Sequence, residues 1–185
     1  MTTQTDKAVE ESAKLLDGIL LDKAVKFWRG KRKLLPQDLG LNPNEVPDIF
    51  ILGRKMVVPE ASLKRFYRIN SRMSYLLDQF SFPFPTGSVR FVPYSVLPRV
   101  LGEIHKRRVD FKQETEKFMS QYEEYKQQMI NDYPQYQEAL SRGHIASDKL
   151  RKHFGFEYVL YEVTLPKNIR FKAVEEKEAV QSAIA

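Results

Sequence analysis

VLPRVLGEIHKRRVDFKQETEKFMSQYEEYKQQMIND runs from Val96 to Asp132, and its reading decides the fold. Beyond Pro98 the stretch holds no proline, and only Gly102 weakens it. Leu97, Ile104, Phe111, Phe118 and Tyr125 recur every seven residues. Leu101, Arg108, Thr115, Tyr122 and Met129 take the companion positions, and eight of these ten are apolar or aromatic. That is the seam of a heptad pattern. A continuous helix of about 36 residues would span about 55 Å, long for so small a domain. Its aromatic seam is too bulky and polar for a simple two-stranded zipper. The expected fold class is therefore α+β, mainly α: one long helix in a helical hairpin or bundle, with a small β component.

Other elements group around it. Ala8 to Arg29 reads as a first helix, because Val9, Ala13, Leu16, Leu20, Ala24 and Phe27 recur at three or four residues. Gly30 would end it in the left-handed conformation. Leu34 to Asp48 is rich in Pro and Asn and reads as turns. Two apolar runs, Ile49–Leu52 and Met56–Val58, flank Gly53-Arg54-Lys55 and fit either a short hairpin or an irregular buried segment.

Pro59 and Glu60 then open a helix whose apolar face carries Leu63, Phe66, Tyr67, Met73, Leu76, Leu77 and Phe80. Val89–Val92 is expected as a short strand. Pro134 and Gly143 bracket a short helix, and Ser147 caps another turn. Phe156 to Pro166 alternates aromatic and β-branched residues and is the strongest strand candidate. The expected organisation is one domain over 1–172 and a C-terminal helical tail over 173–185.

The composition removes several classes of function. There is no cysteine, so disulfides, thiolate metal sites and cysteine nucleophiles are excluded. His105, His144 and His153 have no helical metal spacing, and no metal or other cofactor is expected. GxSxG, SxxK, GxGxxG and the Walker loop are all absent. Acidic pairs such as Glu123-Glu124 fall on predicted solvated faces, where carboxylates keep ordinary pKa values. The chain therefore reads as a non-enzyme. No secretory leader is visible at MTTQTDKAVEE, and no apolar run approaches membrane-spanning length, so a cytoplasmic protein is expected.

Charge is the remaining signal. The net charge is +6, and residues 61–112 carry 10 basic against 3 acidic side chains. Three clusters stand out: Arg29, Lys31, Arg32 and Lys33 in FWRGKRK; Lys64, Arg65, Arg68 and Arg72 on the arginine-rich helix; and Lys106 and Arg107 beside Arg108 on the long helix. Cations at a helix C-terminus oppose its macrodipole, which explains FWRGKRK without any ligand. The competing reading joins the clusters into a surface that neutralises phosphates, with Phe27 or Trp28 stacking on a base. An acidic protein would answer to the same field.

GRKMVVPEASLKRFYRINSRMSYLLDQFSFPF (Gly53 to Phe84), then VPYSVLPRVLGEI and the later HFGFEYVLYEV, resembles a bacterial and phage family of uncharacterised function. The resemblance covers residues 15–165. Members are often encoded beside MoxR-type AAA ATPases and von Willebrand-type A proteins, which implies a place in a multi-protein assembly and no catalytic residues. The expected function is a non-enzymatic adaptor subunit, a homo- or hetero-oligomer component, contacting proteins through the outer face of Phe111–Met129 and the terminal helix. The alternative is a sequence-independent binder of DNA or RNA backbone.

Overall fold

The computed structural model describes residues 17–163, apart from 43, 45, 48, 50 and 86. The expected tail at 173–185, the end of the 156–166 strand candidate and the first half of the Ala8–Arg29 helix lie outside the described residues. Six strands are described: β1 (Gly18–Lys26), β2 (Lys31–Lys33), β3 (Arg54–Met56), β4 (Phe82–Pro83), β5 (Arg90–Pro93) and β6 (Gly155–Glu162). The α-helices are α1 (Lys64–Phe80), α2 (Leu97–Asp132), α3 (Gln137–Gly143) and α4 (Ser147–Leu150). The long helix has 36 residues, and the fold is α+β, mainly α, with a small β component.

The first helix is a correction, since residues 18–26 form a strand. The spacing Leu16, Leu20, Ala24 fits a helix, but Ile19-Leu20-Leu21 also fits a short strand buried between neighbours. Tertiary pairing decides between them. β1 is an inner strand of the sheet ordered β4-β5-β1-β6. It runs antiparallel to β5, with Gly18 opposite Pro93 and Leu21 opposite Arg90. A Cβ at Gly18 would collide with the Phe91 ring, so the glycine permits a close approach of the two strands.

The described residues divide into two compact units, one formed by 17–24, 73–105 and 157–163, the other by 25–72 and 106–156. In the first, Leu21, Met73, Leu77, Val92, Val100 and Ile104 are buried. Arg90 holds the end of α1: its Nη2 donates to the Leu77 carbonyl at 3.2 Å, its Nε to Ser81 Oγ at 2.9 Å, and Asp78 lies 3.0 Å away. A guanidinium there satisfies a last-turn carbonyl and opposes the negative end of the helix dipole. Lys23 donates to Ser74 Oγ at 2.6 Å. Burial pulls the Lys23 ammonium below its usual range, against the attraction of Asp78.

The second unit is built on aromatic packing. Phe118 of α2 lies 5.9 Å from Phe66 of α1, 5.4 Å from Phe154 and 6.5 Å from Trp28, centroid to centroid. Phe111 packs on Phe66 and on Phe156. Tyr122 is wholly buried. Its hydroxyl donates to the Ile145 carbonyl and accepts from the Ile145 N–H, both at 3.1 Å. Here the heptad positions Phe111, Thr115, Phe118, Tyr122 and Met129 are all buried, while Arg108 is exposed. From Phe111 to Tyr122 the seam is filled by the chain's own aromatic side chains.

Candidate functional site

FWRGKRK is not a helix end. β1 finishes at Lys26, and Trp28 turns inward, 7% exposed, edge-on to Tyr122 at 5.9 Å. That placement removes Trp28 as a base-stacking element. Phe27 is also engaged, stacked on Phe66 at 5.6 Å and edge-on to Tyr67 at 5.0 Å. Gly30 has φ 66, and a Cβ there would lie 2.7 Å from Val58 and 2.9 Å from Leu63. Glycine suits this turn on both counts, conformation and space. The chain then enters β2.

β2 pairs antiparallel with β3: Lys31 lies opposite Met56, Arg32 opposite Lys55, and Lys33 opposite Arg54. So Met56 pairs with the segment after Gly30 and not with Ile49–Leu52. Ile49 and Ile51, expected in a hairpin or a buried segment, are 83% and 96% exposed. Of the six ribbon residues five are cations, and like charges face each other twice across the strands. Directly opposed like charges are destabilising in a sheet. The Arg32–Lys55 pair is relieved, because Arg32 Nε donates to the Gly143 carbonyl at 3.0 Å and Lys55 Nζ to Asp38 Oδ2 at 2.6 Å. The Lys33–Arg54 pair is not. Both side chains are exposed, and neither has an ion-pair partner among the described residues.

The other predicted cations are placed as follows. Arg29 is exposed. Lys64, Arg65, Arg68 and Arg72 are exposed on α1, with Arg65 Nε 3.4 Å from the Glu114 carboxylate. On α2, Lys106 is exposed and Arg107 half-buried. The structure thus brings Lys31, Arg32 and Lys33 together with Arg54, Lys55 and Arg142, three cations that were not assigned to the site from the sequence. The available signal was the repeated glycine-led pattern, GKRK at 30–33 and GRKM at 53–56. No apolar alternation marks either segment as a strand.

Asp38 anchors this arrangement. It is 5% exposed and accepts from Lys55, from Arg142 Nη2 at 3.0 Å and from the Leu35 N–H at 2.8 Å. Burial is the strongest single influence and opposes its charge, yet the hydrogen bonds from Lys55, Leu35 and Arg142 outweigh it together. The Asp38 carboxyl is held below the usual range. Nearby, His144 Nε2 lies 3.1 Å from the Val57 carbonyl. Burial lowers the imidazole's pKa, partly countered by that hydrogen bond.

Beside the ribbon is a cavity of about 310 Å³. Met129 lines it from the last turn of α2, and Tyr133, Tyr136, Ala139 and Leu140 from the turn and helix that follow. Leu34, Leu39 and Met56 complete the apolar wall, with Asp38 and Lys55 at its polar end. The Leu34 N–H donates to the Gly53 carbonyl at 3.1 Å, tying the end of the 41–53 segment to this wall.

Among the described residues no group of three or more His, Asp or Glu could hold a metal ion. No helix among them is long and apolar enough to cross a membrane. The chain belongs to the family described as "Protein of unknown function (DUF3150)", whose model matches residues 16–183. Comparison with curated proteins and with solved structures finds no match.

Proposed function

We propose that this family member is a non-enzymatic assembly subunit, an adaptor that holds an acidic protein partner against the β2–β3 ribbon. The observation that carries this is the Lys33–Arg54 pair, two exposed like charges opposed across strands with no ion-pair partner among the described residues. Such an arrangement costs stability in the free chain and is relieved by an anion. The ribbon is also firmly based, since Arg32 and Lys55 are spent on Gly143 and Asp38. The resemblance to proteins encoded beside AAA ATPases and von Willebrand-type A proteins supports a place in an assembly. A cytoplasmic setting is part of the proposal. The outward positions of α2 from 112 to 128 include Lys112, Glu116, Lys117, Glu123 and Glu124, a mixed-charge face with less to recommend it as the interface.

The second reading is binding to nucleic-acid backbone, favoured by Lys64, Arg68 and Arg72, exposed at intervals of four on α1. Cations at i and i+4 repel in an isolated helix and suit a polyanion. The two readings use different residues. Titrating the full chain with a labelled polyglutamate peptide, and separately with labelled DNA and RNA, across a salt series separates them. The adaptor reading expects polyglutamate binding that is lost when Lys31, Lys33 and Arg54 are changed to Glu and kept when Lys64, Arg68 and Arg72 are. Binding to DNA or RNA alone, falling steeply with log salt and abolished by the α1 changes, establishes the second reading and overturns the first.

A further inference from the structure

The ribbon alone would accept any anion, but the cavity beside it makes a narrower demand. We propose that the cavity receives one bulky apolar side chain of the acidic partner, so that the segment recognised is an apolar anchor flanked by carboxylates. This deepens the adaptor reading and rests on it.

Three observations lead there. First, the cavity is small. Its volume, about 310 Å³, sits at the lower limit for small-molecule sites, which run from roughly 300 to 1,000 Å³. That suits a side chain better than a cofactor. Second, its polar end is already satisfied. Both Asp38 oxygens accept hydrogen bonds from within the chain, and Lys55 is spent on one of them. Water in the cavity therefore finds few partners, and an apolar group that displaces it gains affinity. Met56 and Met129 line the space, and flexible thioethers adapt to occupants of differing shape.

Third, charge and cavity share one element. β3 sends Lys55 and Met56 to the cavity while Arg54 stands exposed opposite Lys33. Arg142, from the same α3 that contributes Ala139 and Leu140, adds a partly exposed guanidinium. An occupant seated in the cavity thus has cations beside it, which selects acidic flanks. The mouth is apolar as well: Leu39 is 47% exposed, Tyr133 48% and Tyr136 45%.

The test uses the full 185-residue chain and two labelled peptides: glutamates around a central phenylalanine, and the same peptide with alanine at the centre. A labelled DNA oligonucleotide is the third probe. The phenylalanine peptide is expected to bind about tenfold to a hundredfold more tightly than the alanine peptide. Leu39→Glu, at the exposed mouth, should erase that difference and leave the alanine peptide's weak binding measurable. Tyr136→Arg should do the same and serves if the first variant folds poorly. Equal affinity for the two peptides overturns the cavity's role while leaving the ribbon as an anion-binding surface. Binding to the oligonucleotide but to neither peptide overturns both.

Discussion

The part of α2 beyond residue 105 meets the chain's own side chains very differently along its length. Around Phe111, Phe118 and Tyr122 the surface is covered by Trp28, Phe66, Phe154 and Phe156. Around Met129 and Tyr133, two turns further on, a cavity remains. Both stretches continue one apolar pattern. The pattern tells which residues share a face, and it is silent on whether enough of the chain returns to fill the space opposite. The filled stretch is explained by stability alone, whereas the unfilled one points to an occupant.

Phe118→Ala should break that contrast with the largest effect, by making the filled stretch resemble the empty one. The ring touches Trp28, Phe66, Tyr122, Tyr125 and Phe154 and is 1% exposed. Its loss should cost about 4 kcal/mol, read as a fall in the denaturation midpoint in urea. A loss below about 1 kcal/mol would mean that the aromatic cluster is loosely packed too, and the contrast with the cavity would fail.

Asp38→Ala attacks the other end. Lys55 would be left partly buried without its carboxylate, and Arg142, more exposed, would lose the same partner. The expected cost is about 3 kcal/mol, the bottom of the range for breaking a buried pair because Arg142 reaches water. The same residue predicts a pH dependence. The Asp38 pKa is depressed on folding, so its contribution is fully present above the unfolded carboxylate range and is lost as pH falls through the lower folded value. Stability measured downward from about pH 4 should therefore fall more steeply in the parent chain than in the variant. Parallel curves would show that Asp38 does not anchor the ribbon and the cavity wall.

The legibility of these parts from the sequence follows the same divide. The long helix was readable because Phe111, Phe118 and Tyr125 repeat at seven, and that periodicity is local information. α1 was readable from Leu63 to Leu77 for the same reason. β1 was not, since Leu20 and Ala24 suit a helix as well as Ile19 to Leu21 suit a strand, and strand pairing across to β5 decides the matter. Gly18, an unfavourable residue inside a helix, was the available warning. β2 was hidden more deeply: Lys31-Arg32-Lys33 has no apolar face, and it is a strand only because Arg54–Met56 lies beside it. As for the site, the cations of FWRGKRK could be named in advance, but their partners Arg54, Lys55 and Arg142 come from elsewhere in the chain. A void has no residue of its own, so nothing in the spacing could announce the cavity.

Lys33→Glu should have the smallest effect and the opposite sign, and it sharpens the comparison most. Replacing one of two opposed cations converts a repulsion with Arg54 into an attraction across the non-local pair. Cross-strand pairs of this kind are worth roughly 0.2–1 kcal/mol, so the variant should be slightly more stable than the parent at low salt. Because both side chains are exposed, the gain should shrink towards zero near 1 M salt, where the screening length is about 3 Å. The same change should weaken binding to the acidic peptides. A substitution that stabilises the fold while impairing binding is the signature of residues kept for a partner at the expense of the free chain. If Lys33→Glu instead destabilises the chain at low salt, the ribbon's cations are satisfied within the molecule. The Lys33–Arg54 pair would then lose its standing as the observation behind the adaptor reading.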